Sequence, residues 1–264
     1  MTGRPVALIT GASAGLGAEF ARAFAARGAD LILTARREER LAALAQQLRD
    51  QHGNHTEILV ADLATDAGVA AVKTRMDAIP NLHWLVNNAG FGVPGRFHSV
   101  AIDDLDRMHR LHVLAPLQLT HAALRGMVAR DAGAIINVAS VAGFLLASGS
   151  AGYSATKRWL HVLSEAIYLE LRSTRSKVRI QSLCPGYTIT EFHDVIGMQR
   201  ARIPKFLWLD AHFVVRESLK ALERNDLLVI PSWKYQLAVA VAKLLPRRVR
   251  YAAAVRAGRR MGRD

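Results

Sequence analysis

Short apolar runs alternate with helical stretches along the chain. PVALIT at 5–10 reads as a strand, followed by a Gly-rich turn and a helix to about Arg27, where Gly28 is placed to end it. LILTA at 31–35 is a second strand, and a helix rich in Leu, Ala, Arg and Gln follows. TEILVA at 56–61 and HWLVNNA at 83–89 are the third and fourth, and one long helix is expected from about Ile102 to Ala129. AIINVAS at 134–140 is the fifth strand, a helix containing Tyr153 runs to about Arg172, and KVRIQSLCP at 177–185 is the sixth. A helix near 210–223 and a seventh strand, DLLVI at 226–230, close the alternation. Strands this uniformly apolar, separated by helices, imply a parallel sheet covered on both faces, and right-handed crossovers make it doubly wound. The expectation is therefore one α/β domain over 1–232, with 187–209 (irregular from 191) as a surface insertion and 233–264 as a C-terminal extension.

Composition narrows the classes. With 264 residues and 51% apolar content, the chain can bury a large core. One cysteine, Cys184, excludes an internal disulfide framework and fits a reducing compartment. The first apolar run is too brief for a secretory leader, and no stretch approaches the ~20 apolar residues of a membrane span. These features point to a cytoplasmic protein. The formal charge of +13 is unevenly placed: residues 234–264 hold nine Lys or Arg against one acid, contributing +8. Trp233 to Leu245 reads as an apolar helix ended by Pro246, with basic residues after it. Apolar then basic suits a helix lying on an anionic membrane surface, which would make the protein peripheral to a membrane. The alternative is an exposed or dimer-packed helix with a solvated end; nucleic acid fits this order poorly.

Candidate chemistry begins at TGASAGLG, 10–17. Gly11, Gly15 and Gly17 let the backbone turn tightly and approach a pyrophosphate, and the helix that follows points free N–H groups at such an anion. At the end of the second strand the chain has Arg36 and Arg37, with no acid before Glu38. In a dinucleotide fold that favours the 2′-phosphate of NADP(H); otherwise the two arginines open a solvated helix face. Asp62 ends the third strand and either accepts from an adenine amino group or caps the next helix. Tyr153 and Lys157 lie four apart, hence on one helix face. A free phenol ionises near pH 10, and a nearby ammonium favours its phenolate. No metal site is expected: the histidines show no H-E-x-x-H spacing and one thiol cannot build a zinc centre. Cys184 falls at a buried strand end and reads as inert.

Taken in order, TGASAGLG, NNAG at 87–90, Ser140, Tyr153-x-x-x-Lys157 and Pro185-Gly186 resemble the classical short-chain dehydrogenase/reductase family over roughly residues 5–230. The resemblance implies a Rossmann-type fold and an NADP(H)-dependent oxidoreductase that interconverts a carbonyl and a secondary alcohol. It implies Tyr153 as general acid/base, Lys157 as its tuning charge and ribose partner, and Ser140 as holder of the substrate oxygen. Gly11, Ser13, Gly15, Leu16 and Gly17 would cradle the phosphates, and Arg36, Arg37, Asp62 and Leu63 would take the adenosine end. Asn88, Ala89 and Gly90 would line the ribose and nicotinamide, with Pro185, Gly186, Thr188 and Thr190 at the carboxamide. The chain departs from the family at RLHVLAPLQLT, where His112 stands in place of an Asn that supports a relay water. His112 either takes over that relay or is a satisfied helix histidine. The loops 141–152 and 187–209 are apolar, through Phe144, Leu145, Leu146, Phe192, Phe206 and Trp208. They suit a lipophilic carbonyl or alcohol such as a steroid, a ketoacyl lipid or a retinoid-like compound; packing or an oligomer contact is the other use. A homodimer or homotetramer is implied by the family. The alternative in another class is a nucleotide-binding regulatory protein with little turnover.

Overall fold

The computed structural model describes residues 3–195, 197 and 200–260; residues 196, 198 and 199 of the insertion and 261–264 of the tail lie outside the described residues. Seven parallel strands form one sheet in the order β3-β2-β1-β4-β5-β6-β7. They are β1 (Val6–Thr10), β2 (Asp30–Ala35), β3 (Thr56–Val60), β4 (Leu82–Asn87), β5 (Ala134–Val138), β6 (Arg179–Leu183) and β7 (Leu228–Val229). The helices between them are α1 (Gly15–Ala25), α2 (Glu38–His52), α3 (Asp66–Asp77), α4 (Ile102–His109), α5 (Ala115–Ala129), α6 (Ala151–Ser173), α7 (Phe192–Val195) and α8 (Ala211–Glu223). Two more, α9 (Trp233–Leu244) and α10 (Arg247–Arg260), close the chain.

The strands are rich in apolar residues at successive positions because successive side chains enter different cores. From β1, Ala7 and Ile9 join a cluster with Phe20 and Phe24 of α1, Leu41 and Leu48 of α2, and Val214 and Leu219 of α8. Val6 and Leu8 join the opposite cluster with Val72 and Met76 of α3, Leu119 and Met127 of α5, and Leu171 of α6. A buried polar chain crosses between the layers at the sheet centre. Asn87 and Asn137, which are register partners on β4 and β5, are linked by Asn87 Nδ2 donating to Asn137 Oδ1 at 2.8 Å. Asn87 Nδ2 also donates to Thr120 on α5, and Asn137 Nδ2 donates to Ser164 on α6 at 2.9 Å.

Three expectations change. The long helix over 102–129 is interrupted: a π-helical turn at Arg110–Leu114 separates α4 from α5. Pro116 explains the widening, since it has no N–H for the carbonyl four residues back and its ring crowds that carbonyl. The seventh strand shrinks to two residues, paired only with Ser182 and Leu183 of β6. The boundary at 232 also cuts through packed structure. Tyr235 and Val239 of α9 are buried in the first core, so this helix is part of the body. Pro246 ends α9 and opens a second helix, α10.

The polar chain gives a stability prediction. Asn137→Ala removes two buried hydrogen bonds, although the Asn87 amide keeps Thr120 and the Ser164 hydroxyl keeps the Leu160 carbonyl, and should cost about 1–3 kcal/mol in urea denaturation. Leu169→Ala, at an exposed position on α6, should cost far less.

Candidate active site

The sheet order reverses between β1 and β4, and a cleft opens beyond the carboxyl ends of the strands there. Its volume is about 480 Å³. It is lined by Gly11, Ser13, Gly15, Leu16, Arg36, Arg37, Asp62, Leu63, Asn88, Ala89, Gly90, Ser140, Tyr153, Lys157, Pro185, Gly186, Thr188 and Thr190. Residues from six strand ends, far apart in sequence, thus share one cavity. Of the sequence-derived catalytic and cofactor residues, Gly17 and His112 stay behind its wall; of the apolar substrate-side residues, Leu145 and Phe192 line the cleft, whereas Phe144, Leu146, Phe206 and Trp208 do not.

One end is built on the turn after β1. Gly11 has φ +66°, and a Cβ there would sit 2.8 Å from Ala89 Cα; one on Gly17 would sit 2.3 Å from the Gly11 carbonyl oxygen. Only glycine permits this fold-back. Thr10 locks it to β4: its Oγ1 accepts from the Asn88 and Ala89 amides at 2.9 and 3.0 Å and donates to the Val86 carbonyl at 3.1 Å. The Asn88 side chain spends its amide on the Thr10 and Gly11 carbonyls, at 2.9 and 3.3 Å. It braces the turn while still lining the cleft. At the end of β2, Arg37 donates from Nε and Nη2 to Ser13 Oγ at 3.1 and 3.0 Å. Asp62 pairs with Arg107 and accepts from the Ala64 amide at 3.0 Å. The cap of α3 is Thr65, which accepts from Gly68, so capping is not Asp62's role.

The other end gathers Ser140, Tyr153 and Lys157. Ser140 follows β5, and its Oγ accepts from the Ala142 amide at 3.1 Å. That bond uses a lone pair and leaves the hydroxyl proton for another acceptor. Lys157 is 5% exposed, and its Nζ donates to the Val138 carbonyl at 2.8 Å. The ammonium lies 5.8 Å from the centroid of the Tyr153 ring. Loss of hydration pushes its pKa down from 10.5 to about 8. Burial pushes the neighbouring Cys184 thiol up to about 11, in keeping with an inert residue.

His112 lies behind this group, 1% exposed. Its Nε2 accepts from the Phe91 amide at 3.1 Å, and its Nδ1 is 3.0 Å from Thr156 Oγ1. Thr156 gives its own proton to the Tyr153 carbonyl at 2.9 Å, so His112 must donate from Nδ1. Both ring nitrogens are therefore committed and the ring is neutral. Burial, with the nearby Lys157 charge, holds its pKa well below the ordinary value. Of the two readings of this side chain, these bonds match the satisfied helix histidine. The ring props the Tyr153 turn of α6 against the loop after β4 that carries Gly90. A Cβ on Gly90 would meet His112 Nε2 at 2.8 Å, which explains the glycine.

Sequence reasoning missed several residues here. Tyr235 of α9 packs its ring on Gly186, where a Cβ would come within 2.1 Å. Its hydroxyl accepts from the Tyr187 amide at 3.1 Å and donates to the Leu207 carbonyl at 2.8 Å. It therefore fastens both ends of the 187–209 segment. Glu191 pairs with Arg37 at 2.9 Å and also with Arg40. Neither residue stands in a local pattern that would signal it.

The model of the short chain dehydrogenase family matches residues 5–201. The chain belongs to that family, whose members are nicotinamide-dependent oxidoreductases. It is 36% identical over 190 residues to sulfoacetaldehyde reductase 2 of Chromohalobacter salexigens, covering 71% of this chain and 74% of that one. Among solved structures it is similar to a short-chain dehydrogenase from Sphingobium yanoikuyae in complex with NADPH, at 37% identity and TM-score 0.82, over 87% and 88% of the two chains. It is also similar to the bulky-bulky ketone specific alcohol dehydrogenase from Comamonas testosteroni, at 31% identity and TM-score 0.79, over 92% and 93%. A Burkholderia phymatum member in complex with NAD shares 25% identity at TM-score 0.76, over 90% and 92%, so the fold serves both nicotinamide cofactors.

The depressed Lys157 pKa has a definite sign in stability. The unfolded chain keeps this proton up to about 10.5 and the folded one only to about 8. Unfolding between those values takes up a proton at Lys157, so this lysine's share of stability should rise with pH across that window, by about 3 kcal/mol, while Cys184, raised from 9.0 to about 11, opposes it above pH 9. The lysine's share is the difference between wild type and Lys157→Met, which urea titrations at several pH values will read.

Proposed function

We propose that the protein is an NADP(H)-dependent oxidoreductase that interconverts a carbonyl and a secondary alcohol on a lipophilic substrate. The observation that carries this reading is the convergence of Ser140, Tyr153 and Lys157 at one end of a cleft whose other end is a glycine cradle with Arg36 and Arg37 beside it. The cradle fits a dinucleotide: Gly11 and Gly17 leave no room for side chains, and the start of α1 faces the turn. Arg36 is exposed and makes no hydrogen bond among the described residues, which suits a group held ready for a phosphate. When bound, the nicotinamide cofactor supplies or accepts the hydride.

The chain's own residues manage the oxygen and its proton. Ser140 directs its free O–H at the substrate oxygen and positions it. In reduction Tyr153 gives that oxygen a proton, and in oxidation it takes one back. The Lys157 ammonium, fixed by the Val138 carbonyl, stabilises the phenolate left behind. Phe91, Val93, Leu145, Tyr187 and Phe192 make the substrate end apolar. The lining arginines, Arg36, Arg37 and Arg107, belong to the adenosine end, where Arg107 pairs with Asp62. A sulfonate like that of sulfoacetaldehyde would find no guanidinium beside Tyr153. This favours a bulky apolar ketone, as in the Comamonas testosteroni relative.

The tail supports a peripheral membrane reading. No helix among the described residues is long and apolar enough to cross a membrane. On α9, however, Trp233, Leu237, Val241 and Leu244 are exposed at helical spacing, opposite buried Tyr235 and Val239, and the basic α10 follows. An anionic bilayer matches both features. Because Tyr235 is structural, deleting 233–264 would damage the fold, so point variants are the better probe.

Two outcomes follow. Tyr153→Phe should lose more than about a hundredfold in kcat for reduction of a bulky aryl ketone while keeping NADPH binding. Equal turnover by wild type and variant would contradict the acid/base role. The Leu237→Glu, Leu244→Glu double variant should no longer pellet with phosphatidylglycerol vesicles, whereas wild type should, less so as salt rises. Wild type left in the supernatant would contradict membrane docking.

A further inference from the structure

Glu191 stands in an unusual place. It belongs to the substrate-side segment, immediately after Thr190, yet its carboxylate reaches across the cleft mouth to the adenosine side. It pairs with Arg37 Nη1 at 2.9 Å and, through its other oxygen, with Arg40 of α2. Arg37 is already aimed by Ser13, which accepts from its Nε and Nη2. The segment also leans on the cradle, since a Cβ on Gly15 would lie 3.0 Å from Thr190 Cγ2. A carboxylate with two oxygens thus satisfies a two-arginine site at the end of β2.

On the reading above, Arg37 is one of the two arginines, with Arg36, that receive the 2′-phosphate. We infer that Glu191 is a stand-in for this phosphate and a determinant of cofactor specificity: it holds Arg37 and Arg40 until the 2′-phosphate displaces it. The exchange is chemically favourable. A phosphate monoester carries up to about two charges and three acceptor oxygens, against one charge and two oxygens on Glu191. Both existing pairs are roughly half exposed, so each is weak and readily given up. The ribose hydroxyl of NAD(H) has no charge with which to compete. Glu191 would therefore be displaced by one cofactor and keep its arginines against the other. The sequence gives no hint of this, because the partners are 154 and 151 residues apart.

The test is fluorescence titration of the full chain with NADPH and with NADH, for wild type, Glu191→Gln and Glu191→Ala. Glu191 is surface-placed, so both variants should fold. Both should bind NADPH about three- to tenfold more tightly at low salt, with the gain shrinking as salt rises. NADH affinity should stay within about twofold. Unchanged or weaker NADPH binding by both variants, or equal tightening of NADH, would overturn the inference while wild-type preference for NADPH left the cofactor assignment standing. A wild-type preference for NADH would overturn both.

Discussion

The site depends on a buried ammonium. Lys157 is placed on α6 with one hydrogen bond, to the Val138 carbonyl at the end of β5, and little water. Burying that charge is costly, and its pKa near 8 records the cost. The surroundings are arranged to keep it there. His112 is held neutral and cannot add a competing positive charge. Gly90 leaves the space that His112 Nε2 and Lys157 both border. The Asn87–Asn137–Ser164 chain ties β4, β5 and α6 together one layer below. Spacing between Tyr153 and Lys157 is thus fixed by helix geometry, while the distance from α6 to the strand ends is fixed by a polar lattice under the cleft.

The opposite end is governed by steric economy. Thr10, Asn88 and three glycines pull the first turn against the end of β4 until no side chain fits. One rigid frame therefore carries both the cradle and the Tyr153 group. The 187–209 segment is fastened to that frame by Tyr235 of α9 and by its own Glu191, which reaches the arginine side.

Much of this was legible in the chain. The strands could be read because both faces of the sheet are buried, so apolar residues recur at successive positions. The glycines, Ser140 and the Tyr153–Lys157 pair announced themselves by spacing and order. What escaped was set by tertiary contact. The break in the long helix was signalled by Pro116, which a periodicity reading overrides. The side-chain role of His112 is decided by the Phe91 amide and by Thr156, neither of which lies near it in sequence. Charge and apolarity made the tail look separate, yet Tyr235 is integral to the fold.

The most direct test of the central claim is an ultraviolet titration of tyrosinate, taken as the difference between wild type and Tyr153→Phe, and repeated in the Lys157→Met background. The account predicts that the Tyr153 phenol ionises below the ordinary tyrosine range in wild type and moves upward when the ammonium is removed. The same Tyr153 titration with and without Lys157 would contradict it.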